Sequence, residues 1–327
     1  MVVDAVVTWV DGADVEHIQK RQTYLKSWQE KIPEDSAAPT RFNSSGEINY
    51  CLRSLLHFAP WIRTIYVVTD GQTPLFVTTL QGTSYANRIQ MIDHREIFNS
   101  FEEYLPTFNS LSIESMLWRI PGLSEHFIYL NDDCALLRPA QKKDFFSDDC
   151  PVVRGEWKTQ YAHKWHYILK QGLTQIFPDF FSLQPMAPHR KYQENSARLA
   201  GYTHKFLHLS HVPFPLTRQM FIDCFENYRE IFLHNLNYPV RSPEQFWSIS
   251  WVYHVGMREK KVVINNTLKA VSVHVTHHPW PKIITRLSRA RRDPKVAFVC
   301  IQSLDQGTSE QQKTLLAWLD ACIPNMT

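Results

Sequence analysis

Acids stand where three short apolar runs stop in the first 133 residues. Asp11 follows the run 2–10, Asp70 follows 64–69, and the pair Asp132-Asp133 follows 127–131. Each run is β-rich and too short for a helix. Segments with helical periodicity separate them, which is the pattern of an open, mostly parallel α/β sheet with helices on both faces. In such a sheet the strand ends share one edge, and ligands bind in the crevice beyond it. Carboxylates gathered there repel one another unless they hold a cation or a proton. A hard cation beside clustered acids points to phosphate chemistry. Asp11-Gly12 and Asp70-Gly71 are each ordinary turn pairs, and adjacent acids also cap helices. The coincidence of three such ends carries the reading.

Three further clusters lie downstream. His211-Val-Pro-Phe-Pro-Leu-Thr-Arg218 sets a histidine before two stiffening prolines, which suits a general base or a phosphate donor as well as simple loop packing. Arg241-Ser-Pro-Glu244 pairs an acid with a cation suited to bidentate phosphate binding, or to a surface ion pair. His274-Val-Thr-His277-His278 has the composition of a transition-metal site but lacks an evident partner. The chain contains no GxxxxGK[ST] loop, no GxGxxG fingerprint, no GxSxG elbow and no HExxH helix, so neither a Walker-type kinase nor a dinucleotide dehydrogenase is supported.

The elements that must carry these residues follow from periodicity. After the first strand, 14–32 reads as an exposed helix ending near Pro33, and 34–40 as a loop. Ser44-x-x-Glu47 has the form of a capping box opening a helix through Leu52, Leu55 and Leu56. Strands follow at 64–69, 88–92 and 127–131, with a helix between the last two capped by Asn109 or Ser110 and ended by Pro121-Gly122. Beyond about residue 150, Trp, His and Pro become frequent. Helices are expected at 160–176, 216–234 and 244–257, strands at 261–265 and 270–276, and loops at Pro178, Pro185, Pro188, Pro213 and Pro215. Thr308-x-x-Gln311 opens a terminal helix. No internal repeat or Gly/Ser linker interrupts the chain. Residues 1–305 are expected to form one catalytic unit, an α/β half over 1–150 and an irregular, aromatic-rich lobe over 151–305, followed by a C-terminal helix over 306–327.

Composition agrees. The 327 residues are 44% hydrophobic and 20% charged, a globular balance large enough for a sizeable core. A net charge of +3 argues against a nucleic-acid partner, although Arg286, Arg289, Arg291, Arg292 and Lys295 cluster locally. None of the six cysteines forms a CxxC pair; Cys51, Cys224 and Cys300 read as buried thiols in a reducing compartment. No apolar run approaches 18 residues and no signal peptide is expected.

With these residues in view, the chain resembles the Stealth family of sugar-phosphate transferases. The first of its blocks resembles Asp4-Ala-Val-Val-Thr-Trp9-Val-Asp11-Gly12. A long second block runs from Arg41-Phe42 through Gly46-Glu47, Leu52-Arg53-Ser54, Val68-Thr69-Asp70-Gly71-Gln72, Leu105-Pro-Thr-Phe-Asn109-Ser110, Ile113-Glu114 and Arg119-Ile-Pro-Gly-Leu123 to Asn131-Asp132-Asp133. The third begins at His211 and continues downstream to Arg241 and Glu244. The fourth, from Pro294 to Asp305, departs from the family pattern and puts a role for Asp305 in doubt.

The resemblance implies transfer of a hexose-1-phosphate from a UDP-N-acetylhexosamine donor to a saccharide or sugar-phosphate polymer, with UMP leaving. Asp132 or Asp133 would hold Mg²⁺ or Mn²⁺; the other, or His211, would take the acceptor's proton. Arg241 and Arg218 would offset phosphate charge. Asp11 and Gly12 would line the nucleotide site, while Arg53, Asp70, Asn109, Asn131 and Glu244 would contact substrate. Trp9 would stack on a base or sugar, or simply pack. A cytoplasmic location, peripheral to the inner face of the membrane near capsule-export machinery, is the corresponding expectation. A metal-dependent glycosyltransferase using a nucleotide-diphosphate sugar fits Asn131-Asp132-Asp133 as well.

Overall fold

The computed structural model describes residues 1–28, 42–165, 167 and 188–326. The end of the first helix at Pro33, the loop 34–40, Pro178, Pro185 and most of the helix expected at 160–176 lie outside the described residues. Four strands, β1 (Val3–Thr8), β2 (Ile65–Thr69), β3 (Ile89–Asp93) and β4 (His126–Asn131), run parallel in the order β4-β1-β2-β3. Phe214–Thr217, expected as a loop at Pro215 running into a helix from 216, instead adds an antiparallel edge strand beside β4. Its Thr217 then caps the following helix, Arg218–Asn227.

The strands are nearly all apolar because both faces are covered. Val3, Ala5 and Val7 face a core shared with Leu52 and Leu55 of the helix Glu47–Phe58. Val6, Phe127 and Tyr129 face a second core built with Phe221, Phe232 and Trp251 of the C-terminal half. The mostly parallel α/β architecture with an aromatic-rich second half is therefore as the sequence implied.

Two local expectations change. The helix at 47 begins after Gly46, which sits at φ +92° with no side-chain cap; Glu47 accepts from the Ser45 amide instead, so the capping box does not form. Asn109 does cap a helix, but one of only five residues, Ser110–Glu114, followed by a 3₁₀ turn at Leu117–Arg119.

A second sheet explains the position of the acid pair. Strand β5 (Cys134–Leu136) pairs antiparallel with Val296–Gln302, which pairs parallel with Lys269–His274. The chain thus leaves one sheet at Asn131 and enters the other at Cys134. Asp132 and Asp133 form the hinge between them, and the Ile301 amide donates to the Asp133 carbonyl at 3.0 Å. The long strand at 296–302 was not foreseen from the sequence.

Candidate active site

A cavity of about 270 Å³ opens over the ends of β1 and β4. Thr8 lies opposite Asn131 in the ladder, so Trp9 and the acid pair emerge side by side. Asn131, Asp132, Asp133, Glu47 and Asp305 line the cavity with His211 and Arg241. The structure therefore brings together Asp132, Asp133, Asn131, His211 and Arg241 from the sequence-derived set. Asp305, which the sequence left in doubt, also faces the cavity and accepts from Asn43 Nδ2 at 3.1 Å.

The acids crowd. Burial pushes the Asp132 carboxyl well above its ordinary range, and Asp133 and Glu47 add to it. Burial also raises Glu47, with Asp133 and Asp305 contributing against two opposing backbone amides. Such a set is relieved by a proton or by a cation; among the described residues, the candidate ligand atoms within 4.8 Å of one another are those of Asp133, Cys134 and Cys300. Two thiols stand behind Asp133: Cys134 Sγ lies 3.5 Å from Oδ1 and Cys300 Sγ 3.3 Å from Oδ2. Burial holds the Cys300 thiol well above its ordinary value, and the Cys134 thiol, against the opposing effect of Cys300 beside it, is pushed to about 11. Both thiols donate toward Asp133, and a hard cation at the acid pair would draw its ligands from carboxylate oxygens rather than sulfur.

The opposite wall is held by side chains. Arg241 Nε and Nη2 both donate to Ser110 Oγ, at 3.1 and 2.6 Å. Ser110 is fixed because Asn109 caps its helix and donates to Tyr238 O (2.9 Å) and Gln245 Oε1 (2.8 Å). Glu114, at the end of the same helix, accepts from Trp247 Nε1 in the interior. Burial pushes its carboxyl up to about 7, opposed by Trp247 and Arg241.

His211 is half-buried. Its ring stacks on His189 with centroids 5.0 Å apart, and Asn131 Nδ2 approaches its Nδ1 at 3.5 Å. Asn131 is oriented by Tyr129, whose hydroxyl donates to its Oδ1 at 2.7 Å. Burial lowers the His211 pKa, Asp133 opposing, so the ring is neutral near pH 7.

The remaining expected residues fall elsewhere. Asp11 lies just beside the cavity, its backbone pinned by Gln72 and its carboxylate accepting from Ala13 N. Gly12 donates to Phe42 O at 2.7 Å, and a Cβ there would overlap that carbonyl, so the glycine serves chain packing. Asp70 is displaced to an adjoining cavity of about 450 Å³, where it pairs with Lys20 at 2.5 Å; β2 is one strand further from β4 than β1 is. His17 and His94, which the sequence did not single out, line both cavities.

Four assignments need correction. Asn109 is fully buried and positions Ser110 instead of meeting substrate. Arg53 donates to Pro324 O, Ile323 O and Asp320, tying the C-terminal helix Ser309–Cys322 to the core. Arg218 donates to Trp118 O and sits beside Glu125, at the opposite end of β4, because its strand is antiparallel. Glu244 is exposed and does not line the cavity. The Ser110–Glu114 network was missed because its partners lie more than 120 residues away.

Known proteins bear on this geometry. The family models described as Stealth protein CR1, conserved region 1, and CR2, conserved region 2, match residues 1–27 and 41–152. An exopolysaccharide phosphotransferase of Streptomyces coelicolor is 30% identical over 98% of this chain and 51% of its own length. The capsular polysaccharide phosphotransferase LcbA of Neisseria meningitidis is 35% identical over 70% of this chain and 57% of its own. The chain thus spans about half the length of these curated relatives. Among solved structures, mouse xyloside xylosyltransferase 1 (11% identity, 92% of this chain and 97% of that one) and the galactosyltransferase LgtC (10%, 99% and 97%) superpose with TM-scores of 0.44, too distant to argue from. Both conserved regions contribute to the cavity, Trp9 from the first and Asp132-Asp133 from the second, and the chain belongs to the Stealth family.

Proposed function

We propose that the protein is a capsular or exopolysaccharide phosphotransferase. It moves a hexose-1-phosphate, with N-acetylhexosamine as the sugar, from a UDP-sugar to an acceptor sugar hydroxyl. The observation that carries this reading is the convergence of Asp132 and Asp133, from a strand end, with His211 and Arg241, from the second half, on one cavity. The names of the relatives, which are phosphotransferases of exopolysaccharide and capsular polysaccharide, support it.

In this reading the acceptor oxygen attacks the phosphorus that bears the sugar. The bond from that phosphorus to the bridging oxygen breaks, UMP leaves with the electron pair, and the anomeric C–O bond stays intact. Asp133 would hold Mg²⁺ or Mn²⁺, which would supply neutralisation of the diphosphate when bound, and Asp132 beside it would stay clear of the cation. Arg241, aimed by Ser110, offsets charge on the transferring phosphoryl group. The Asn131 amide facing His211 Nδ1 favours the Nε2–H tautomer, in which His211 donates to a phosphoryl oxygen. The acceptor's proton then goes to the carboxylate not engaged by the cation.

Incubation with UDP-N-acetylhexosamine, an oligosaccharide acceptor and Mg²⁺ should yield UMP and a phosphodiester seen by phosphorus NMR. Release of UDP with no phosphorus in the product would contradict this reading and support glycosyl transfer. Among the described residues no helix is long and apolar enough to cross a membrane. Action at the cytoplasmic face, beside export machinery, is part of the same proposal.

A further inference from the structure

The helix Trp280–Arg292 and the turn after it carry Lys282, Arg286, Arg289, Arg291, Arg292 and Lys295 against one acid, Asp293. This local surplus exceeds the +3 of the whole chain. Two ordinary reasons for it fail. Cations near a helix C-terminus often serve its last carbonyls, but here Arg138 does so, donating to Ala290 O and Arg291 O at 3.1 Å and to Asp293 O at 3.2 Å. Nor does any of the six pair with a carboxylate among the described residues.

The patch is also continuous with the cavity. His274 lies opposite Gln302 where their two parallel strands end, and its Nε2 is 3.4 Å from Oγ of Ser303, a cavity residue. The His274 and His277 rings stack with centroids 3.8 Å apart. His278 follows, its ring nitrogen 3.2 Å from Arg286 Nη1, which also donates to Ser272 O at 2.7 Å. From there the 13-residue helix leads away from the cavity for about 20 Å. Arg289 and Arg292 share one surface depression on it.

We propose that this face, from the stacked His274 and His277 through Lys282 and Arg286 to Arg289 and Arg292, grips an anionic chain of repeated phosphates leading to the cavity. The identity of that chain as the acceptor polymer rests on the transfer reading above; the grip itself does not. Each exposed cation contributes little alone. A chain bridging several releases several counterions, so the grip is length-dependent and salt-sensitive.

Anisotropy of dye-ended long-chain inorganic polyphosphate and of tripolyphosphate, over a salt series, tests this. The protein should bind the long chain at least about tenfold more tightly than the short one. The exposed double substitution Arg289→Ala/Arg292→Ala should remove most of that difference and lower the salt slope by about two, with tripolyphosphate binding and the melting curve unchanged. Equal affinity of the wild type for both probes, or an unaltered double variant, would overturn the proposal. So would vesicles of anionic lipid that need Arg289 and Arg292 while polyphosphate does not, since the face would then be a membrane contact. A protein that grips polyphosphate through these arginines yet releases no UMP would refute the transfer reading and leave the grip standing.

Discussion

The two walls of the cavity are built by different means. The acidic wall comes from the backbone: Asp132 and Asp133 face the cavity because the chain crosses there from one sheet to the other, locked by ladder bonds on both sides. The basic wall comes from side chains. Arg241 sits on a loop and is aimed by Ser110, which Asn109, Gln245 and the Glu114–Trp247 pair hold from within. A wall fixed by sheet topology tolerates change in its surroundings. A wall fixed by a buried polar network depends on every member being satisfied.

Substitution at each wall separates these modes, and the largest effect belongs to the acids. Asp133→Asn should lower the rate of UMP release by about three orders of magnitude, with the melting temperature little changed, because a ligand and its charge are lost but no ladder bond is. A mild effect, within about tenfold, would move the centre of the chemistry away from the hinge.

The next effect belongs to the network. Glu114 binds a proton more tightly folded, at about 7, than at the ordinary glutamate value of 4.5. Stability from its protonated form is therefore complete below about pH 4.5 and lost as pH rises through about 7. The span corresponds to about 3 kcal/mol. Glu114→Gln, which still accepts from Trp247, should match the wild type near pH 5 and exceed it in urea unfolding at pH 8. An identical difference at both pH values would show that this wall does not hold a protonatable carboxyl.

A smaller effect sharpens the contrast from outside the cavity. Arg53→Ala should cost about 2 kcal/mol by freeing the buried Ile323 carbonyl and the Pro324 carbonyl beside it, while leaving UDP affinity unchanged. Weakened UDP binding would return Arg53 to the substrate site.

The same contrast sets how much was legible in sequence. Strand ends tipped with acids are a local signal, and a parallel sheet converts them into one edge, so Asp132 and Asp133 could be read directly. Asp70 was over-read because strand order, not strand identity, decides which ends meet over the cavity. The antiparallel strand Phe214–Thr217 carries Arg218 to the wrong end, and periodicity over so few residues does not reveal direction. Glu114 was visible as a letter beside Ile113, but its burial depends on Trp247, 133 residues later. Ser44 and Glu47 had the capping spacing, yet Gly46 at positive φ took the cap position first.

The central claim is that both walls meet one pyrophosphate. Calorimetric titration of UDP, with and without Mn²⁺, tests it on the wild type, Asp133→Asn and Arg241→Ala. The account predicts that Mn²⁺ tightens UDP binding to the wild type, that Asp133→Asn abolishes this dependence, and that Arg241→Ala weakens UDP at every Mn²⁺ concentration. UDP binding indifferent to the cation and to both substitutions would contradict it.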